Sequence, residues 1–251
     1  MACKEIRFMK LSVVIPAHNE EGCIEETVLK ISEVLEGEGI ENEIVIVDDN
    51  SSDSTPNILY ELSKEMANVR SVRNDPPNGF GLAVNKGLEH ITGDAVVITM
   101  ADASDDPEDM VRYYRKLEEG YDCVFGSRFL KESKVRNYPL LKLLLNRLAN
   151  LFIKGLFGLS NNDITNAFKC YRRTVIDGIK PILSYHFNLT VEVPLKAIVR
   201  GYTYTTIPIN WYGRETGLSK FRIKEMGSRY MFIILYVFLE KWLSRGDYRK
   251  K

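Results

Sequence analysis

The chain has few of the residues that build disulfide frameworks or histidine-rich metal sites. Its 251 residues include four cysteines and three histidines, and no two cysteines form a C-x-x-C pair. Cysteines this widely spaced argue against a disulfide framework or a zinc knuckle and favour reduced thiols, so we expect a cytoplasmic protein. The histidines are also too scattered for a histidine-based metal centre. Any metal in this protein should therefore have oxygen ligands.

Long apolar runs are missing as well. The first residues, MACKEIRFMKLSVVIP, have charges where a secretion signal needs an unbroken apolar core, so we predict no signal peptide. The longest apolar stretch, YMFIILYVFL at 230–239, is shorter than the ~20 residues that a membrane-spanning helix needs. The sequence therefore predicts no membrane span.

Neither sign of charge is in excess. Lys and Arg together number 34, and Asp and Glu also number 34. Such a balance gives no bulk field toward nucleic acid, so we expect no nucleic-acid partner. Hydrophobic residues make up 45% of the chain, which is typical of a globular protein of one large domain, with or without an appended element.

Apolar segments alternate with segments of helical spacing along the first half. Strands that lack polar alternation, each followed by a helix, predict an α/β fold with a mostly parallel sheet covered on both faces. The predicted strands are 11–15, 43–47, 69–72, 94–99 and 122–126, and the predicted helices are 22–36, 56–66, 79–91 and 107–119.

The second half is predicted to continue the domain and to end in a helix. We expect a basic, apolar helix at 138–158, an edge strand at 166–173, a helix at 189–200 and a half-exposed strand at 202–211. The final helix, at about 225–244, is apolar with basic residues on both sides. We assign 1–222 to a catalytic domain and 223–251 to a C-terminal element that rests in a membrane interface or packs against the domain.

Three polar segments follow predicted strands: PAHNEE, DDNSSDST and MADASDDPED. Ligands bind beyond the carboxyl ends of such strands, so these segments should converge on one site. Asp102, with Asp105 or Ser104, offers oxygen ligands for Mg²⁺ or Mn²⁺. The alternative is that Ser104, Asp105 and Asp106 cap the helix that begins near Pro107.

Four blocks together resemble a known family. VVIPAHNEEGCIEETV, IVIVDDNSSDST, NGFGLAVNKGLEHITGDAVVITMADASDDPED and GSRF are similar, in sequence and in spacing, to the blocks of family 2 glycosyltransferases with the GT-A fold. The nearest resemblance is to the dolichyl-phosphate mannose synthase branch, and it covers roughly residues 10 to 220. It implies a Rossmann-like sheet and an enzyme that transfers a sugar.

The resemblance also implies roles for individual residues. Asp102 matches the last Asp of the D-x-D metal motif, Ser104 matches a nearby metal-contacting position, and Asp105 is the further candidate metal ligand. The nucleotide-sugar would be lined by Pro16, Ala17, His18, Glu20, Asp49 and Asp102. The donor and acceptor phosphates would meet Arg128, Lys142 and Asn146, and a basic pair, Arg214 and Lys220, would close over the diphosphate.

One position departs from the family pattern. Met100 occupies the place of the first Asp of D-x-D, so the motif reads M-A-D. This leaves three readings: an inactive enzyme, a metal held mainly by Asp102 and the diphosphate, or compensation by Asp105 or Asp106. Asp102 and Arg128 are retained, which favours the second and third readings. Lys142 also replaces a usual Arg and loses its bidentate geometry.

The implied reaction moves a hexose, mannose or glucose, from a GDP- or UDP-sugar to a polyprenyl phosphate, with inversion and with Mg²⁺ or Mn²⁺. We expect it in the cytoplasm or at the cytoplasmic face of a membrane. In an alternative reaction, a glycan or protein hydroxyl accepts the sugar and needs a carboxylate base, for which Glu192 is the candidate. Glu192 could equally be an ordinary helix residue. A second alternative is a non-catalytic nucleotide-sugar binding protein.

Overall fold

A seven-stranded sheet forms the centre of the molecule. The structure is a computed structural model that describes residues 9–213 and 223–250, without the side chains of 223–226. In these residues the strand order is β3-β2-β1-β4-β7-β5-β8, and β6 pairs separately with β9. The strands are β1 (Leu11–Ala17), β2 (Asn42–Asp48), β3 (Val69–Arg73), β4 (Ala95–Ile98), β5 (Cys123–Ser127), β6 (Val135–Arg136), β7 (Lys169–Arg172), β8 (Tyr204–Pro208) and β9 (Trp211–Tyr212).

The helices begin and end at residues with suitable local chemistry. Pro107 opens one helix, and the side chain of Asp106 caps it by accepting a hydrogen bond from the amide of Glu108. Another helix ends at Gly158, which adopts the left-handed conformation (φ 69°). The helices are α1 (Ile24–Gly37), α2 (Thr55–Glu65), α3 (Phe80–His90), α4 (Pro107–Glu118), α5 (Leu140–Phe157), α6 (Arg173–Gly178), α7 (Leu189–Val199) and α8 (Ile223–Leu243).

Helices cover both faces of the sheet, as the sequence predicted. Strand β1 runs parallel to β2 and to β4, and β2 runs parallel to β3. Alternate residues of these strands point to opposite faces. Helices α1, α2 and α4 pack on one face, around Val13 and Ile15, and α3, α6 and α7 pack on the other, around Val14 and Val96. The α/β prediction is confirmed.

The strand predicted at 166–173 is not an edge strand. Strand β7 lies between β4 and β5, antiparallel to both, and runs directly into α6. Its charged side chains find hydrogen-bond partners inside the protein. The ammonium of Lys169 donates to the carbonyls of Ile164 (2.9 Å) and Thr190 (3.3 Å). The sequence pattern was misleading because it does not distinguish a buried lysine with satisfied hydrogen bonds from a lysine at the surface.

The C-terminal helix packs against the domain through one side. Ile234 and Val237 of α8 join a core cluster with Val191 and Leu195 of α7. A buried ion pair between Arg200 and Glu240 (2.8 Å) fixes α8 further. Among the described residues, no helix has the length and apolarity that crossing a membrane requires.

Candidate active site

The three polar segments meet at the carboxyl edge of the sheet. Because β2, β1 and β4 are parallel neighbours, the residues that follow them emerge side by side. The amide of Asp49 donates to the carbonyl of Ala17 (2.8 Å), and the hydroxyl of Thr27 donates to the carbonyl of Ala101 (3.1 Å). The convergence predicted from the sequence is present.

The segment after β1 forms one side of this edge. Pro16 and Ala17 are buried and pair with the end of β2, so they contribute mainly backbone. His18 and Glu20 are half-buried. The amide of Glu20 donates to the hydroxyl of Thr55 (2.9 Å), which ties this segment to the start of α2. The predicted contacts of these residues with a nucleotide-sugar stay predictions.

Asp49 organises the segment after β2. Its buried carboxylate accepts hydrogen bonds from the side-chain amide of Asn74 (2.7 Å) and from the backbone of Gly79 (2.9 Å). Its carbonyl lies 2.7 Å from Nδ1 of His18. Asp49 therefore positions three neighbouring segments, and its contact with a base or ribose remains a prediction.

The turn after Asn78 requires glycine because another backbone passes close by. A Cβ atom at Gly79 would lie 2.3 Å from the carbonyl oxygen of Tyr185, and one at Gly81 would lie 2.2 Å from that of Ser184. The amides of Gly81 and Leu82 donate to the Tyr185 carbonyl at 3.0 and 3.2 Å. The 184–185 turn thus forms a wall beside the start of α3.

Glu192 supports this turn from behind. Its fully buried carboxylate accepts hydrogen bonds from the amides of Leu183 (2.8 Å) and Ser184 (2.7 Å). It also pairs with the buried ammonium of Lys196 at 2.6 Å. With both oxygens engaged and no exposed surface, Glu192 is a structural helix residue. This environment does not support the predicted role of a base toward an acceptor hydroxyl.

The loop after β4 contains the candidate metal ligands. Asp102 is half-buried, and its Oδ1 accepts a hydrogen bond from the amide of Ser104 (3.2 Å). The intervening Ala103 adopts a positive φ of 55°, which folds the loop tightly around the Asp102 side chain. Asp102 is therefore placed at the surface of the site.

Asp105 points the other way. Its buried carboxylate accepts hydrogen bonds from the hydroxyl of Thr99 (3.0 Å) and the amide of Met100 (3.2 Å). Burial and the neighbouring charge of Asp102 raise the pKa of Asp105 to about 7. In the described part of the chain, no three His, Cys, Asp or Glu side chains gather into a metal-binding group. A divalent cation here would take Asp102 and draw its other ligands from a substrate.

Arg128 lies in a cage of aromatic rings and is held by Asp163. Its Nε and Nη2 donate to the two oxygens of the fully buried Asp163 carboxylate, both at 2.8 Å. Its guanidinium carbon lies 5.6 Å from the ring centroid of Tyr138 and 6.0 Å from that of Trp211. Burial opposes the charge, but Asp163 outweighs it and raises the pKa of Arg128 above its ordinary value.

Tyr138 connects this cage to the start of α5. Its hydroxyl accepts a hydrogen bond from the side-chain amide of Asn146 (2.8 Å). The hydroxyl of Thr165 donates to the oxygen of Asn146 (2.8 Å). Lys142 is half-buried one turn before Asn146 on the same helix. The structure thus brings Arg128, Asn146 and the helix bearing Lys142 into one neighbourhood, and their contacts with the donor and acceptor phosphates stay predictions.

The segment 211–213 lies between the loop of Asp102 and strand β6. The amide of Tyr212 donates to the carbonyl of Ser104 (3.0 Å), and that of Gly213 donates to the carbonyl of Arg136 (3.0 Å). The predicted basic pair, Arg214 and Lys220, falls outside the described residues. The first of the two described segments ends at Gly213, directly after the Tyr212 that contacts the loop of Asp102.

Sequence reasoning did not find four residues of this neighbourhood: Asp163, Tyr138, Trp211 and Lys169. The pKa of Lys169 falls to about 7 because its ammonium is buried. Asp163 stands within a polar run, NNDITN, that resembles an ordinary loop. Asp163 could be inferred only from the fact that a buried arginine needs a carboxylate partner, and the sequence alone does not show which carboxylate that is.

Two comparisons with known proteins agree with this arrangement. The family model for glycosyl transferase family 2 matches residues 12–179. Solved structures of glucosyl-3-phosphoglycerate synthase from Mycobacterium tuberculosis share the fold. One of them is a complex with Mn²⁺, UDP-glucose and phosphoglyceric acid. It has a TM-score of 0.70 at 18% identity, covering 93% of this chain and 79% of that chain. Another is a complex with Mg²⁺ and UDP, with a TM-score of 0.68 at 19% identity and the same coverage.

Proposed function

Because the chain belongs to glycosyl transferase family 2, it is a GT-A glycosyltransferase that uses a nucleotide-sugar, and we propose that its acceptor is a polyprenyl phosphate. The transferred sugar is a hexose, mannose or glucose, and the donor nucleotide is GDP or UDP. The transfer inverts the anomeric centre. The reaction runs at the cytoplasmic face of a membrane.

One observation supports this acceptor above all: an exposed apolar helix rises from the cluster around Arg128. Helix α5 begins at Leu140, two residues after Tyr138 of the arginine cage, and it bears Lys142 and Asn146 in its first two turns. A polyprenyl phosphate joins an ionised head to an apolar chain. Arg128 in the aromatic cage would face the ionised head, and the apolar surface of α5 would face the chain that follows it.

The donor diphosphate is expected at the carboxyl edge, near Asp102. A bound Mg²⁺ or Mn²⁺ would neutralise the negative charge that develops on the leaving diphosphate. Asp102 is the residue that would hold the cation, and one carboxylate with substrate phosphates is a sufficient set for a hard divalent ion. The complexes of the mycobacterial synthase with Mn²⁺ or Mg²⁺ and UDP support this proposal.

The acceptor step needs orientation more than proton transfer. A phosphate oxygen is already ionised at neutral pH, so it attacks the anomeric carbon without a strong base. The commitment of Glu192 to Leu183, Ser184 and Lys196 is consistent with such an acceptor. Asp163 fixes the guanidinium of Arg128, and a fixed cation is a preorganised partner for an incoming phosphate.

The test is transfer of labelled hexose from a panel of GDP- and UDP-sugars. The purified protein is incubated with each donor and either a polyprenyl phosphate or phosphoglyceric acid. We expect label in the organic-extractable product, and none with Asp102→Asn. Label found only in a water-soluble phosphoglycerate product would replace the proposed acceptor with the one in the mycobacterial complexes. Nucleotide binding without any transfer would support the non-catalytic alternative.

A further inference from the structure

Helix α5 turns a broad apolar stripe outward. Leu140 is 83% exposed and Leu151 is 67% exposed, and a contiguous exposed apolar patch marks an interaction site. The stripe, here called the α5 stripe, consists of Leu140, Leu141, Leu144, Leu148, Leu151 and Phe152.

The spacing of these residues makes the α5 stripe a continuous surface. At 3.6 residues per turn, its members fall within an arc of roughly 120°. Asn150, Ile153 and Phe157 of the same helix are buried and lie on the opposite side. Helix α5 therefore packs against the domain through one face, and the α5 stripe on its other face is exposed.

The charges on α5 all have one sign. Lys142, Arg147 and Lys154 are its charged residues, so the helix has no carboxylate. By the same helical spacing Arg147 and Lys154 border one side of the α5 stripe, and Lys142 lies farther round the helix beyond its other side. A helix with an exposed apolar stripe and only basic charged residues is typical of segments that lie in the interface of an anionic membrane.

Helix α8 repeats this pattern next to α5. Its exposed large residues include Phe232, Leu235, Leu239 and Trp242. The two helices touch through the rings of Phe157 and Phe238, whose centroids lie 6.0 Å apart. The one carboxylate of α8 among residues 227–243, that of Glu240, is buried against Arg200 and adds no exposed negative charge.

We propose that the α5 stripe docks the protein on the surface of an anionic lipid bilayer. The charges favour this partner over a second copy of the chain, because two identical cationic faces would repel each other while anionic lipid attracts both. The proposal deepens the proposed function, since it would bring the Arg128 cage to the membrane that holds a lipid-linked acceptor. It concerns docking of the whole protein and is measured without any substrate.

Vesicle sedimentation of the full chain tests the proposal. The probes are vesicles of phosphatidylcholine alone and of phosphatidylcholine mixed with phosphatidylglycerol. We expect binding to the mixed vesicles and a loss of about tenfold or more for Leu141→Gln/Leu144→Gln/Leu148→Gln. Lys154→Gln should weaken binding about fivefold. Leu29→Gln, which alters an exposed leucine of α1, is the control and should bind like the wild type.

Two results would overturn the proposal. One is a wild-type protein that stays in the supernatant with mixed vesicles, and the other is a triple variant that sediments like the wild type. If the wild type does not bind vesicles but forms a dimer, and the triple variant is a monomer, the α5 stripe is an interface between copies of the chain. Circular dichroism checks that the triple variant is folded. Transfer to a short, water-soluble polyprenyl phosphate without vesicles tests the proposed function separately.

Discussion

The carboxylate of Asp105 accepts a hydrogen bond from the backbone amide of Met100 at 3.2 Å. Asp105 therefore lies behind the methionine that replaces the first Asp of the D-x-D motif. Of the two carboxylates that flank this loop, only Asp102 is partly exposed. The second reading of M-A-D, a cation held mainly by Asp102 and the diphosphate, fits this geometry better than compensation by Asp105.

Replacement of Asp102 should remove activity. Asp102→Asn keeps the shape of the side chain but removes the charge that would hold a divalent cation, so we expect hexose transfer to fall at least about 100-fold. Asp106→Asn is the matched control, because Asn also caps a helix well. Initial rates of transfer measure both. Near-normal turnover by Asp102→Asn would exclude it as the metal ligand.

Restoring the missing carboxylate should tighten metal binding. Met100→Asp adds a second ligand beside Asp102, so the Mg²⁺ or Mn²⁺ concentration for half-maximal transfer should fall about tenfold. Met100→Asn, which adds polarity without charge, is the control. A metal titration after treatment with chelator gives the values. Full wild-type activity in excess chelator would show that the site works without a cation.

The ionisation of Asp105 should make stability depend on pH. Its pKa is raised from 3.8 to about 7, so between these values the native state binds more protons than the unfolded state. The free energy of unfolding therefore decreases as pH rises from 4 to 7, by up to about 4 kcal/mol. Asp105→Asn removes this cost. In metal-free buffer its melting temperature should exceed that of the wild type at pH 8, and the gap should narrow toward pH 5. A gap independent of pH would contradict this assignment.

Stability and transfer should both depend on the guanidinium of Arg128, which pairs with Asp163. Arg128→Lys keeps the charge but cannot make two parallel hydrogen bonds to the Asp163 carboxylate. We expect the free energy of unfolding to drop by about 1–3 kcal/mol and transfer to fall. Arg115→Lys changes an exposed ion pair and serves as the control, with an effect near zero. Urea denaturation and transfer rates give the two readouts.

Glu192→Gln should act on stability and spare the chemistry. It leaves the buried ammonium of Lys196 without its carboxylate, which costs about 3–5 kcal/mol. The double variant Glu192→Gln/Lys196→Met should recover part of this loss. Turnover per folded molecule with a polyprenyl phosphate should stay close to that of the wild type. A specific loss of turnover in a fully folded Glu192→Gln protein would instead support Glu192 as the general base.

The parallel half of the fold follows from local patterns, and so its prediction succeeded. Apolar runs such as AVVI at 95–98 and the helices between them are read from spacing over a few residues. Strand β7 depends instead on distant partners for Lys169, which a linear pattern does not contain.

The same distinction applies to the site. Asp102 and Asp49 follow strands whose ends can be predicted, so their convergence was predictable. Asp163 and Tyr138 reach Arg128 through folding of the second half, and the burial of Glu192 depends on Lys196 and a turn before α7. Sequence spacing identifies which residues end strands, but it does not show which carboxylates are already paired.

The anchoring of Lys250 has a practical consequence for experiments on this protein. Its ammonium donates to both oxygens of Asp122, at 3.0 and 2.9 Å, immediately before strand β5 begins. Asp122 lies at the amino edge of the sheet, the edge opposite Asp49 and Asp102. A label or tether attached next to Lys250 would therefore immobilise the protein with the carboxyl edge of the sheet, where the donor is proposed to bind, facing away from the support. Donor binding could then be followed on a sensor surface without blocking that edge.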